Sequence, residues 1–162
     1  MRHPLLMALG LALAGCGAQQ QPGDNAAANV AELAAPSPDA LAAKAQVERY
    51  FQLIAARNFE EAYKLWEPEG ASRSSPAALA GEYAHYKQYD VTVGDPTEIK
   101  AAGNFAYIIV GARAETQRVS GGSVRTLDGR VHLKRAIPQG EAKPGPWLIW
   151  AVDIRKPGKS AP

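Results

Sequence analysis

The stretch Val47-Glu48-Arg49-Tyr50-Phe51-Gln52-Leu53-Ile54-Ala55-Ala56-Arg57-Asn58-Phe59-Glu60-Glu61-Ala62-Tyr63 decides the fold. Val47, Tyr50, Phe51 and Ile54 recur at i, i+3, i+4 and i+7, the spacing of one helical face. Asn58 breaks the run, and Phe59, Ala62, Tyr63 and Trp66 repeat the spacing in a second, shorter helix that Pro68 and Gly70 end. Upstream, Ser37-Pro38-Asp39 supplies a start, with Asp39 as the N-cap. Downstream, Ser75-Pro76 opens a third helix, with serine as the cap and proline at the first helical position. Leu79, Tyr83 and Tyr86 line its inner face, and Gly81 weakens it.

From Tyr89 onward the hydrophobic period switches to two. Val91 and Val93 alternate with Asp90 and Thr92, and Gly94-Asp95-Pro96 makes that strand an edge or a bulged one. Ala101-Ala102-Gly103-Asn104 reads as a turn. Phe105 to Thr116 has the pattern of a central strand, and Ser120-Gly121-Gly122-Ser123 turns the chain back. Val124 to Ile137 alternates again; Asp128-Gly129 inside it is either part of one bent strand, the preferred reading, or a tight hairpin turn. After a loop from Pro138 to Pro146, Leu148, Trp150, Val152 and Ile154 alternate with Trp147, Ile149, Ala151 and Asp153. Helices followed by antiparallel strands make an α+β layout.

This order, and the step Arg57-Asn58-Phe59-Glu60-Glu61-Ala62-Tyr63 between the first two helices, resembles the nuclear-transport-factor-2-like (ketosteroid-isomerase-like) superfamily. The aromatic-bearing last strand Trp147-Leu148-Ile149-Trp150 resembles it too. The resemblance covers residues 39–155 and implies three helices packed on a curved antiparallel sheet of about four strands, a cone-shaped, cystatin-like roll.

Outside that segment the chain reads differently. Arg2 followed by the apolar run Leu5–Ala14 has the polarity of a signal peptide, and the run is far shorter than the ~20 residues that cross a ~30 Å hydrocarbon core. Leu13-Ala14-Gly15-Cys16 resembles the bacterial lipobox at every position. That resemblance implies cleavage between Gly15 and Cys16 and acylation of Cys16, with residues 1–15 as the signal and 16–38 as lipidated cysteine and tether. A thiolate suits alkyl transfer, and Cys16 is the sole cysteine of the chain. Gly17, where inner-membrane lipoproteins tend to carry Asp, points to the outer membrane. The tether is rich in Ala, Gln, Asn, Pro and Gly; about 22 residues of such coil span roughly 25 Å. The tail 156–162 reads as unstructured.

The composition excludes several functions. With 162 residues, 18 Lys+Arg and 16 Asp+Glu, the net charge of +2 is too small and the basic residues too scattered for a nucleic-acid-binding face. One cysteine forbids an internal disulfide, and no His/carboxylate cluster has metal-ligand spacing, so neither metal nor cofactor is expected. No glycine loop opens a helix to cradle phosphate, and no Gly-x-Ser-x-Gly elbow occurs.

The cone of the resembled superfamily can hold a pocket, and the candidate pocket residues here are Tyr50, Tyr63, Tyr83, Tyr107, Trp150 and Asp153. His85, His132 and Asp90 are further titratable groups. None forms a catalytic motif, so no catalytic residue is assigned. Tyr50, Tyr63 and Tyr83 lie on apolar helical faces, where core packing is the ordinary use. His132 alternates with Val131 and Leu133 and reads as solvent-facing; Asp153 faces either solvent or the mouth of the cone. Trp147 and Trp150 have opposite parity, so at most one enters the cone; the other is either an exposed contact surface or packed under a helix or loop. The expectation is a membrane-anchored envelope lipoprotein facing the periplasm, held by lipid on Cys16. Its domain binds a small apolar ligand or an envelope protein without catalysis. The alternatives are an assembly module that homodimerises through its sheet, and an isomerase- or dehydratase-type enzyme.

Overall fold

A computed structural model describes residues 35–69, 75–138, 140 and 143–155. The chain divides into Met1–Ala34 and Ala35–Pro162. The lipobox, almost all of the tether and the tail 156–162 lie outside the described residues.

Helix α1 runs Pro38–Ala55. Its cap is Ser37 rather than Asp39: the Ser37 hydroxyl accepts the Ala40 amide at 3.2 Å. Pro38 explains the offset of two positions, since its fixed φ and missing N–H suit the first helical residue. Asp39 falls in the first turn, where a carboxylate complements the helix dipole. Arg57 closes α1 with φ of +57°, a left-handed conformation usually given to glycine. Asn58 then caps α2 (Phe59–Tyr63) by accepting the Glu61 amide. This helix stops three residues before Trp66, because Leu65 and Glu67 exchange backbone hydrogen bonds of 2.8 and 2.9 Å with Ile149. Helix α3 (Pro76–Tyr83) starts as expected, with the Ser75 hydroxyl accepting the Ala78 amide.

The strands are β1 (Tyr86–Pro96), β2 (Lys100–Ala102), β3 (Phe105–Arg118), β4 (Arg125–Ala136) and β5 (Leu148–Arg155). They form an open, curved antiparallel sheet in the order β1-β3-β4-β5, and the short β2 pairs with the start of β3. The expected α+β class therefore holds, with five strands. The fifth is β2: Lys100–Ala102 is paired strand, and only Gly103 and Asn104 make the turn. Strand β1 is both an edge and bulged, with its register shifting between Val93 and Pro96.

Strand β4 passes through Asp128 and Gly129 unbroken, as one strand. Gly129 is required there by a close approach: a Cβ would sit 2.0 Å from the Asp153 carbonyl oxygen and 2.4 Å from Ile154 Cα. Alternation then sorts the strands. Ala106, Ile108, Val110 and Ala112 of β3, Val131 and Leu133 of β4 and Ile149 of β5 are buried on the face that receives the helices. Against them pack Val47, Tyr50, Phe51 and Ile54 of α1, Ala62 of α2 and Leu79 of α3. Each fully buried large side chain contributes about 1.5–3 kcal/mol through lost water contact.

Candidate functional site

The space between helices and sheet is packed with aromatic and aliphatic side chains. Tyr50 has no exposed surface, and its hydroxyl lies 3.3 Å from that of Tyr83. Tyr50 meets Phe51 and Trp66 edge-on at 4.9 and 5.9 Å, while Tyr83 meets Tyr89 edge-on at 4.9 Å and stacks on Phe59 at 6.4 Å. Tyr89 is joined in turn by Tyr86 at 5.1 Å. Burial, reinforced by the neighbouring Tyr83 and Tyr86 phenols, pushes the Tyr89 hydroxyl well above the ordinary tyrosine range. The cluster is held at its base by Arg57, whose guanidinium donates to the Tyr83 and Tyr86 carbonyls at 2.9 and 2.6 Å.

The six candidate pocket residues do not share one pocket. Tyr50 and Tyr83 come together in this core, and Tyr63 packs half-buried at its margin. Tyr107 and Asp153 face outward, because Ile108 of β3 pairs with Leu133 of β4, and Gly129 of β4 with Ile154 of β5, on the inner side. Asp153 pairs there with Arg155. Trp150 sits at the irregularity between the His132 and Leu133 pairings and also lies outside, its ring 4.5 Å from Lys134 Nζ. His132 shares that outer face, half-buried, and Asp90 and His85 are exposed. The remaining tryptophan of the last strand region, Trp147, is the buried one: its indole N–H donates to Asp39 on α1, and Arg135 lies 4.5 Å over its ring while pairing in bidentate fashion with Asp39.

Concave surfaces flank this core, among them a cavity of about 160 Å³ bordered by Arg57, Tyr83 and Tyr89 and an open depression over Gly111 and Gly129. Two others matter more. One is an open groove of about 520 Å³ between the exposed side of α1 (Glu48, Gln52, Ala55) and the edge strand β1. The other lies where the inner sheet face extends past the helices. This cavity of about 230 Å³ has Thr116 and Leu127 at its floor and Tyr86 and Ile154 beside them. Arg118, Arg125 and Ser123 line its rim. The β3–β4 turn builds it: Gly121 and Gly122 take φ of +89° and +103°, which lets β4 double back so that Arg125 faces Thr116 across the ladder. Sequence reasoning misses these two arginines. The signal that could find them is their position on either side of the Ser120–Ser123 turn, at the parity of inward-facing Thr116 and Leu127.

Among the described residues no three His, Cys, Asp or Glu side chains are grouped to hold a metal ion. No described helix is long and apolar enough to cross a membrane. No protein-family model, curated protein or solved structure matches this chain.

Proposed function

We propose that this chain is a membrane-anchored envelope lipoprotein, tethered through acylated Cys16, whose nuclear-transport-factor-2-like domain binds a ligand or protein partner without turning it over. The observation that carries the non-catalytic reading is the aromatic packing of the interior. The Tyr50 and Tyr83 hydroxyls face each other within packed aromatic rings, and the cavity of about 160 Å³ that Tyr83 borders is well below the ~300 Å³ at which ligand pockets begin. A proton-transfer enzyme of the isomerase or dehydratase type needs a titratable group in contact with substrate inside an apolar pocket. Asp153 and His132 stand instead on the outer sheet face, and Asp90 is exposed. The groove beside β1 and the cavity at the open end of the sheet are surfaces available for recognition.

Two experiments test the reading. In a bacterium that processes lipoproteins, the wild-type chain is expected to incorporate labelled palmitate and Cys16→Ala to incorporate none. Label retained by Cys16→Ala sinks the anchor. Saturable turnover of a substrate by the purified protein, lost in Tyr83→Phe, sinks the non-catalytic part.

A second reading has its own observation. Phe105, Tyr107, Ile109, Leu148 and Trp150 are half-buried or exposed side chains on one end of the outer sheet face. Such a strip suits an assembly module that pairs sheet to sheet. Sedimentation that shows a dimer, converted to monomer by Tyr107→Glu, would favour it; a monomer at high concentration would remove it.

A further inference from the structure

Three arginines line the cavity at the open end of the sheet: Arg118 of β3, Arg125 of β4 and Arg155 of β5. No carboxylate is among the lining residues, and Arg155 alone of the three pairs with one, the outward-facing Asp153. Neither Arg118 nor Arg125 forms an ion pair with any described residue. Three arginines elsewhere on the sheet or beside the cavity do pair: Arg113 with Asp128, Arg135 with Asp39 and Arg155 with Asp153, whereas Arg130 on the outer face forms no ion pair with a described residue and serves as a control. The two unpaired guanidinium groups belong to neighbouring strands, with Arg125 opposite Thr116 and Arg118 two residues beyond it. Like charges so placed repel, and an anion between them removes the repulsion. Beneath the charges lie buried Leu127 and Thr116, with Ile154 and the Tyr86 ring beside them as the apolar wall.

We propose that this cavity binds an amphiphilic anion, with its carboxylate or phosphate ester held by Arg118 and Arg125 and its apolar part resting on Leu127, Ile154 and Tyr86. The guanidinium fork matches the oxygens of either group bidentately. The volume of about 230 Å³ lies below the ~300–1,000 Å³ of drug-sized pockets, which fits a headgroup with a short apolar stem. The proposal rests on the binding reading above and gives it a ligand class; its failure leaves the palmitate result untouched.

The test uses the full chain carrying Cys16→Ser, so that no acyl chain is attached. Calorimetric titration with octyl phosphate and octanoate is expected to show saturable one-to-one binding, with octanol at least tenfold weaker. Arg118→Gln combined with Arg125→Gln is expected to weaken octyl phosphate at least tenfold. Arg130→Gln, which removes one exposed outer-face charge, is expected to stay within twofold of the parent. All three changes are at exposed positions, and unchanged circular dichroism verifies that the variants fold. Co-sedimentation with phosphatidylglycerol vesicles, against phosphatidylcholine vesicles, separates the sources. Binding that depends on the arginine pair assigns the anion to the membrane surface; octyl phosphate binding without vesicle binding assigns it to a free amphiphile. The proposal is overturned by absence of saturable binding in both formats, by equal affinity for octanol, or by an Arg130→Gln loss as large as that of the pair.

Discussion

Lys134 of β4 and Glu67, the residue that follows the bridge of Trp66 to β5, form an ion pair of 3.1 Å on the outer side of the sheet. Lys134 is 6% exposed, and its ammonium lies 4.5 Å from the ring centres of both Phe105 and Trp150. Two aromatic faces and one carboxylate thus stand in for the water the ammonium has lost. The pair also fastens the segment after α2 across the sheet. Glu67→Ala is expected to destabilise the fold by about 3 kcal/mol, because it leaves a buried ammonium unpaired. Replacing both residues by methionine is expected to recover most of that loss. Chemical denaturation measures both; a Glu67→Ala midpoint equal to wild type would show that the pair contributes nothing.

Gly129 permits β5 to lie against β4 at a distance no side chain tolerates. Gly129→Ala is therefore expected to cost about 3 kcal/mol, since backbone rather than a flexible side chain must move. Gly111, on the same sheet, would have nothing within 4 Å of an added Cβ. Gly111→Ala is expected to fall within about 0.5 kcal/mol of wild type. Urea unfolding of the two variants side by side tests the contrast, and equal losses would contradict it.

Arg57 combines a left-handed backbone with two hydrogen bonds to carbonyls. Arg57→Ala loses the bonds and keeps the strain, whereas Arg57→Gly loses the bonds and relieves it. Both are expected to be less stable than wild type, by about 1.5–3 kcal/mol for alanine. The glycine variant is expected to be the more stable of the two by about 1 kcal/mol. Thermal unfolding orders the three proteins, and an alanine variant above the glycine variant would refute the account.

The raised Tyr89 pKa fixes the sign of an alkaline effect. Below the unfolded-state value near 10, the phenol is protonated in both states and no pH dependence arises from it. Above about pH 10 the unfolded chain releases this proton and the folded chain keeps it, so stability falls as pH rises, by at most about 1.4 kcal/mol per pH unit. Lysines titrate in the same window, so the quantity to measure is a difference. Wild type is expected to lose more stability than Tyr89→Phe between pH 9 and 11. Parallel losses in the two proteins would show that Tyr89 ionises as freely in the folded state as in the unfolded one.

The sequence by itself determined the elements that depend on local chemistry. The spacing of Val47, Tyr50, Phe51 and Ile54 placed α1 and its buried face, and Ser75-Pro76 placed the start of α3. The switch to period two placed the long strands, and Gly94-Asp95-Pro96 marked β1 as an edge or a bulged strand; Tyr86, which the helical spacing assigns to α3, instead opens β1 because α3 ends at Tyr83. Parity separates buried Trp147 from outward Trp150, but it does not hold along all of β5: the register shift between His132 and Leu133 turns Val152 and Ile154 inward while Leu148 and Trp150 stay outside. Only the tertiary structure decided which side chains share a surface. Trp66 continues the spacing of α2, yet it leaves the helix because β5 supplies backbone partners from more than eighty residues away. Residue type groups Tyr107, Trp150 and Asp153 with Tyr50 and Tyr83, but the register between β3, β4 and β5 puts them on the opposite face. Arg118 and Arg125 become neighbours only when the glycine turn folds β4 back along β3, and Lys134 finds Glu67 only when the chain after α2 crosses to β5. Periodicity is written residue by residue, whereas a site is a meeting of distant segments fixed by strand register and turn geometry.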